Sequence, residues 1–241
     1  MLQRYSKEFI DVQVQFAERL SEVSGVRLGE MLAEHTLLRQ LLDVSISRDD
    51  HSDPRWQKFV NGFSQSPVAA DWAYEYYLKY PAPVYIPEQP RFGCFTFSYP
   101  FRGTSAVRLH FKNQSNERLL NADSSDSRRE ELKNLFVYLQ QHYPAVERVR
   151  GGSWLYNIEP YRRLFPPEYI ATVEPVGYET GFFALWGQFL HADGTVRMPA
   201  VNRFLACLAQ ETTVDGCISS FPYEVLRPEC PIDIFYEYYT I

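Results

Sequence analysis

Apolar side chains recur with a helical period from Ser6 to Tyr80 and with a strand period beyond the prolines that follow. Phe9, Val12, Phe16, Leu20 and Val23 fall at steps of three and four, and Gly25 follows as a stop, which predicts an amphipathic first helix. Leu28, Met31, Leu32, His35, Leu38, Leu41 and Leu42 keep the same spacing and predict a second helix with His35 on its apolar stripe. Asp53-Pro54 and Ser66-Pro67 each set a capping side chain before a proline, the signature of a helix start. The two shorter helices so opened carry Trp56, Phe59, Val60 and Phe63 on one apolar face, and Ala69, Trp72, Ala73, Tyr76 and Tyr80 on the other. Four prolines then fall in the ten residues 81–90, which forbids helix and predicts an extended linker.

Past the linker, Phe95, Phe97 and Tyr99 share one strand face, and so do Val107, Leu109 and Phe111 after a Pro100 to Gly103 turn. An antiparallel hairpin is expected. A polar loop, Asn113 to Ser125, leads to a capping box at Ser127 and Glu130 and to a helix with the stripe Leu132, Leu135, Phe136, Leu139 and Tyr143, closed by Pro144. The next strand is expected to run through Trp154, parallel to an earlier one across a right-handed crossover. Trp154 and Trp186 lie on runs that read as buried on both sides, so both are expected at the centre of an α/β core, Trp154 on a middle strand of the sheet. Asn157 to Leu164 predicts a short helix stopped by Pro166-Pro167, followed by strands at Ile170 to Val176 and Phe182 to Leu190 and a tight turn at Asp193-Gly194. Pro199, Val201, Phe204, Leu205 and Leu208 predict a last helix, and Phe221 to Leu226 and Ile232 to Tyr238 two last strands, for about seven in all. The expected architecture is α/β of the α+β kind: a mixed, largely antiparallel sheet with flanking helices over 91–241, a proline-rich linker at 81–90, and a helical N-terminal region over 1–80.

Charge and composition narrow the partners. The 241 residues carry a formal net charge of -6 and 16% aromatics, so no global field draws phosphate backbones or anionic lipid, and neither nucleic acid nor membrane is expected. The start lacks the apolar run of a secretory signal, and no stretch reaches the roughly 18 apolar residues of a membrane span, which makes a cytoplasmic location the expectation. Cys94, Cys207, Cys217 and Cys230 have no paired spacing and read as reduced and mostly structural, with Cys94, among aromatics on a strand, as a small buried hydrophobe. A small-molecule ligand and a homo-oligomer stay open as partners. The tail Phe235-Tyr236-Glu237-Tyr238-Tyr239 suits a pocket wall, a partner chain or a covered edge.

For chemistry, His110 faces away from Val107, Leu109 and Phe111, beside Arg108, and fits a general base if that face lines a cleft. Ser153, Tyr156, Glu174 and Glu179 offer hydroxyl or carboxylate partners. A triad of Ser153, His110 and Asp193 is conceivable, without a Gly-x-Ser-x-Gly elbow around the serine. Arg148 and Arg150 share a strand face and, with Arg162 and Arg163, bracket Trp154; the alternatives are a clamp for carboxylate or phosphate and solvated ion pairs with Glu147 and Glu159. Arg148, Arg150, Trp154 and Trp186 are the ligand-binding candidates. His35, His51, His110, His142 and His191 show no paired metal-ligand spacing, so no metal is expected.

Arg108-Leu109-His110-Phe111, the helix ending His142-Tyr143-Pro144, and Gly152-Ser153-Trp154-Leu155 before Leu164-Phe165-Pro166 together resemble the C-terminal, acyltransferase-like domain of GNAT-related bacterial proteins, over Val107 to Val176. The resemblance implies a GNAT-like mixed sheet and acyl transfer as an activity, N-acylation of a small amine with acetyl-CoA or another acyl-CoA as cofactor, for which His110, Ser153 and Tyr156 are the catalytic candidates among the residues above. The chain departs from that pattern in having no Gln/Arg-x-x-Gly-x-Gly/Ala loop before a helix, and Gly151-Gly152 precedes an expected strand instead. The alternative is a non-catalytic small-molecule or protein-binding module that has lost the coenzyme A loop.

Overall fold

The computed structural model describes residues 5–44, 53–63, 65–82, 89–112, 122–178 and 180–241. The expected first helix is α1 (Lys7–Ser24), which buries Phe9, Val12, Phe16 and Leu20 and ends where Gly25 turns left-handed at φ 72°. The expected second helix is two, α2 (Leu28–His35) and α3 (Leu38–Leu41). Thr36 between them is extended, and its hydroxyl donates to the Leu32 carbonyl while accepting from the Leu38 N–H. The Leu37 N–H is taken by Gln13 Oε1 at 2.8 Å, and this fully buried amide also donates to the Phe9 carbonyl. Side chains thus replace the helix ladder at the break, so the apolar stripe continues although the backbone does not.

α4 (Pro54–Phe63) starts as expected, with the Asp53 carboxylate accepting from the N–H of Arg55 and of Trp56. Ser66 instead spends its hydroxyl on both backbone groups of Val68, so α5 begins only at Ala69 (Ala69–Lys79). Of the proline-rich stretch, residues 83–88 lie outside the described residues. The hairpin forms from β1 (Phe95–Ser98) and β2 (Ala106–Phe111), and α6 (Ala122–His142) carries the chain to β3 (Arg148–Arg150), parallel to β2. Because α6 opens at Ala122, the box at Ser127 lies inside the helix rather than at its start; residues 113–121 of the polar loop lie outside the described residues. Leu132, Leu135, Phe136 and Leu139 are buried as the stripe requires.

The structure departs from expectation most after β3. The strand ends at Arg150, and Trp154–Asn157 is a single 3₁₀ turn capped by the Ser153 hydroxyl, which accepts from the Leu155 N–H. Trp154 is therefore not at the sheet centre; its half-buried indole stacks on Tyr223, with centroids 5.8 Å apart. α7 (Glu159–Arg162) forms as expected, but Pro167 opens α8 (Pro167–Ala171) instead of stopping a helix, since proline fits a first turn. Only β4 (Glu174–Pro175) remains of the strand expected there. The run at 182–190 is helical: α9 (Phe183–Trp186) continues into a 3₁₀ turn, Gly187–Phe189. Leu185, Trp186, Gln188 and Phe189 are buried while Phe182 and Phe183 are exposed, a one-sided pattern that a helix makes and a strand buried on both faces does not.

Asp193-Gly194 makes the expected turn, and α10 (Met198–Leu208) the expected helix. α11 (Val214–Ser219), capped by the Thr213 hydroxyl, has no counterpart among the expected elements. The tail forms β5 (Leu226–Arg227), β6 (Glu229–Pro231) and then α12 (Asp233–Tyr239), a helix in place of the last strand, with Phe235 and Tyr239 buried one turn apart. The sheet has four strands in the order β1-β2-β3-β6, antiparallel except for β2 with β3, and β4 pairs separately with β5.

The chain forms two compact units. One comprises residues 1–85 and 178–222 and holds α1–α5 with α9–α11 around Phe16, Trp186, Phe189, Phe204 and Phe221. The other, residues 86–177 and 223–241, holds the strands with α6–α8 and α12; its core joins Phe95, Phe97, Val107, Leu109 and Val149 of the sheet to Phe136, which stacks on Phe235 at 4.3 Å. Among the described residues no helix is long and apolar enough to cross a membrane.

Candidate functional site

Strand alternation gives the four-stranded sheet a greasy face and a polar one. Phe95 opposite Phe111, Phe97 opposite Leu109, and Val107 opposite Val149 make the first. On the second, the register sets Ser98 opposite Arg108, Arg108 opposite Arg150, and Arg150 opposite Glu229, one continuous row across all four strands. Thr96 and His110 form a neighbouring pair on the same face.

The arginines of this face are fixed from several sides. Arg148 Nε reaches Glu229 Oε1 at 2.6 Å, and Arg150 binds the other carboxylate oxygen through Nε and Nη2. Burial pushes the Glu229 carboxyl up, but the hydrogen bonds and charges of Arg148 and Arg150 outweigh it and hold the group below its ordinary value. Glu147, the neighbour expected to pair with these arginines, accepts from the Ser105 hydroxyl. Phe101, from the hairpin loop, is a common platform: the guanidinium carbons of Arg108, Arg102 and Arg150 stand 5.2, 5.3 and 5.8 Å from its ring centre. On another side, a Cβ at Gly152 would come within 3.0 Å of Arg108 Nη2, so the glycine lets that guanidinium lie against the backbone.

His110 is half-buried, and its Nε2 shares a 2.7 Å hydrogen bond with the Ser98 hydroxyl. Burial first, and the Arg108 charge second, push the imidazole down to about 4, so it is neutral at neutral pH. The structure thus brings together His110, Arg148 and Arg150 on one sheet face and joins to them Ser98, Arg108, Phe101 and Glu229, of which Arg108, the neighbour of His110, is legible in the sequence.

The other expected residues have different surroundings. The Ser153 hydroxyl is the cap of the 3₁₀ turn. Tyr156 is 2% exposed, and its hydroxyl shares a 3.0 Å hydrogen bond with that of Tyr169; burial and then Tyr169 drive the phenol well above its usual range. Trp186 and Asp193 belong to the other unit. There the Trp186 indole, fully buried, donates to the Thr180 carbonyl, and the Asp193 carboxylate accepts from the Thr195 hydroxyl and N–H. Glu174 is exposed on β4, and Glu179 and His51 lie outside the described residues. His35 Nδ1 is 2.8 Å from the Thr180 hydroxyl, and His142 stacks on Tyr138. Cys94 is buried as expected, with its sulfur 3.0 Å from Arg128 Nη1. Among the described residues, no group of three or more His, Cys, Asp or Glu side chains could hold a metal ion.

The residues at Gly151-Gly152 do not fit an acyl-CoA pyrophosphate. The space beside Gly151 is filled by the hydroxyls of Tyr156 and Tyr169, its N–H donates to the Pro228 carbonyl, and the space beside Gly152 is filled by Arg108. The close approach that these glycines permit is used by the chain's own side chains. No family model matches this chain, and no curated protein or solved structure matches it.

Proposed function

We propose that this chain is a small-molecule-binding protein whose polar sheet face recognises a carboxylate or phosphate through Arg108 and Arg150. One observation carries the reading: two arginines directly opposite each other on neighbouring strands, both seated on the ring of Phe101. Arg108, Arg148 and Arg150 share this face with the carboxylate of Glu229, and a bound anion adds further attraction to the excess of positive charge there. Guanidinium groups held between an aromatic ring, a bare backbone and a carboxylate lose little freedom when an oxyanion arrives, and their forks match its geometry. Glu229 fixes Arg148 and Arg150 from the far end of the row. The space beside Gly151 and Gly152 is filled by the chain's own side chains, which favours this reading over acyl transfer from coenzyme A.

Thermal unfolding in rising succinate or inorganic phosphate, at ionic strength matched with chloride, tests the reading. The melting temperature is expected to climb with ligand concentration, and Arg108→Gln and Arg150→Gln each to weaken binding by about tenfold or more, the scale of one charge-assisted hydrogen bond. No shift with either ligand up to about 10 mM overturns it.

A further inference from the structure

We propose that Ser98 and His110 are a nucleophile and base that hydrolyse small carboxylic esters carrying an anionic group. The anionic part of this substrate class rests on the reading above; the chemistry rests on separate geometry. Ser98 Oγ and His110 Nε2 are 2.7 Å apart, inside the reach that proton transfer from a hydroxyl nucleophile needs. Both side chains stand on paired strands, so the backbone ladder fixes their separation.

The charges around the pair are arranged for the reaction. Facing the imidazole, β2 contributes Arg108, β1 the neutral Thr96 and Ser98, and Arg150 of β3 lies one strand further along the row. Burial and Arg108 keep the ring in its proton-accepting form at neutral pH, and the same forces oppose the imidazolium in the resting protein. Arg108 is also the direct cross-strand partner of Ser98, hence beside the carbonyl that Ser98 attacks. As the proton moves to His110, the carbonyl oxygen becomes an oxyanion against Arg108. The charge that disfavours the imidazolium at rest is then offset, first by the bound anionic group and further by the oxyanion, so part of the stabilisation appears only in the transition state.

The steps balance. Ser98 Oγ bonds to the ester carbonyl carbon while its proton passes to His110 Nε2; the tetrahedral oxyanion collapses, the ester C–O bond breaks, and the alcohol leaves with that proton. Water then adds to the acyl carbon as its proton goes to His110. The bond to Ser98 Oγ breaks, the serine recovers the proton, and a carboxylic acid is released. No redox partner is needed.

The test combines a fluorophosphonate probe, located by peptide mass spectrometry, with turnover of mono-p-nitrophenyl succinate and p-nitrophenyl acetate. An adduct on Ser98 is expected, formed about a hundredfold more slowly in His110→Gln, the scale of general-base assistance, and slowed in the unaltered protein by free succinate. The succinate ester is expected to turn over at least about tenfold faster than the acetate, the factor of one ionic contact. No adduct on Ser98, or one formed equally fast in a folded His110→Gln variant, overturns the proposal. Calorimetry of Ser98→Ala with succinate separates the two readings: binding retained while the unaltered protein takes no adduct leaves the anion site standing and the nucleophile refuted.

Discussion

Arg108 and Arg150 are direct partners in the parallel β2–β3 pair, and the ring of Phe101 lies 5.2 and 5.8 Å from their guanidinium carbons. The aromatic face thus holds two like charges side by side, which gives the hairpin loop a share in anion recognition. Phe101→Leu keeps the bulk and removes the ring quadrupole. The anion affinity is expected to fall about five- to thirtyfold, from ~0.5–1 kcal/mol for each of the two contacts, in calorimetric titration with succinate. An unchanged affinity refutes the platform role.

His110 makes stability depend on pH. Its folded value of about 4 lies below the ordinary 6.5, so between those limits the unfolded chain binds a proton that the folded chain does not. Stability is complete above pH 6.5 and falls as pH drops toward 4, by ~3 kcal/mol in all. Urea unfolding across that range should show the slope in the unaltered protein and a shallower one in His110→Gln. Below the ordinary carboxylate range Glu229 adds a second loss of the same sign, because its folded value is also lowered.

Gly151 faces two buried phenols. A Cβ there would come within 2.3 Å of the Tyr156 hydroxyl and 2.6 Å of that of Tyr169, so Gly151→Ala must push two packed rings apart. A loss of about 1–3 kcal/mol is expected in urea denaturation, the usual cost of overpacking. Tyr156→Phe removes the hydrogen bonds that its hydroxyl makes with Tyr169 and Tyr161 and should cost about 1–3 kcal/mol while leaving succinate affinity intact. A large loss of affinity in that variant would place Tyr156 at the ligand.

Gln13→Leu tests the broken helix. The substitution keeps an apolar volume in a fully buried position and leaves the Leu37 N–H without its acceptor, so a loss of about 1–3 kcal/mol is expected. The measurement is equilibrium unfolding; no loss means that the α2–α3 break is held by something else.

Strand alternation was a sufficient guide where one face was plainly apolar. Val107, Leu109 and Phe111 place His110 on the opposite face, and the same alternation on β1 puts Thr96 and Ser98 beside it, a step that attention to Phe95 and Phe97 passed over. Glu229 was missed because β6 is three residues long and fell between two expected strands. Runs dense in aromatics misled for a physical reason. Phe182 to Leu190 and Ile232 to Tyr238 are apolar or aromatic at most positions, so composition suggests a strand, and only burial shows the one-sided helical pattern. Trp154 was drawn into the sheet by its neighbours, although Ser153 at the head of a 3₁₀ turn ends the extended run. Helices with a clear stripe and a cap, α1 and α4, needed no tertiary information.

Neither compact unit is a continuous length of chain, and this constrains how the protein can be taken apart. A fragment cut within the prolines retains Phe16 but loses Trp186, Phe204 and Phe221, the rings that cover it. Such a piece would enter solution with a bare aromatic flank and clump or be degraded. Anyone wishing to express the helical unit alone must splice 178–222 back onto the first 85 residues, and the sheet unit needs the complementary graft.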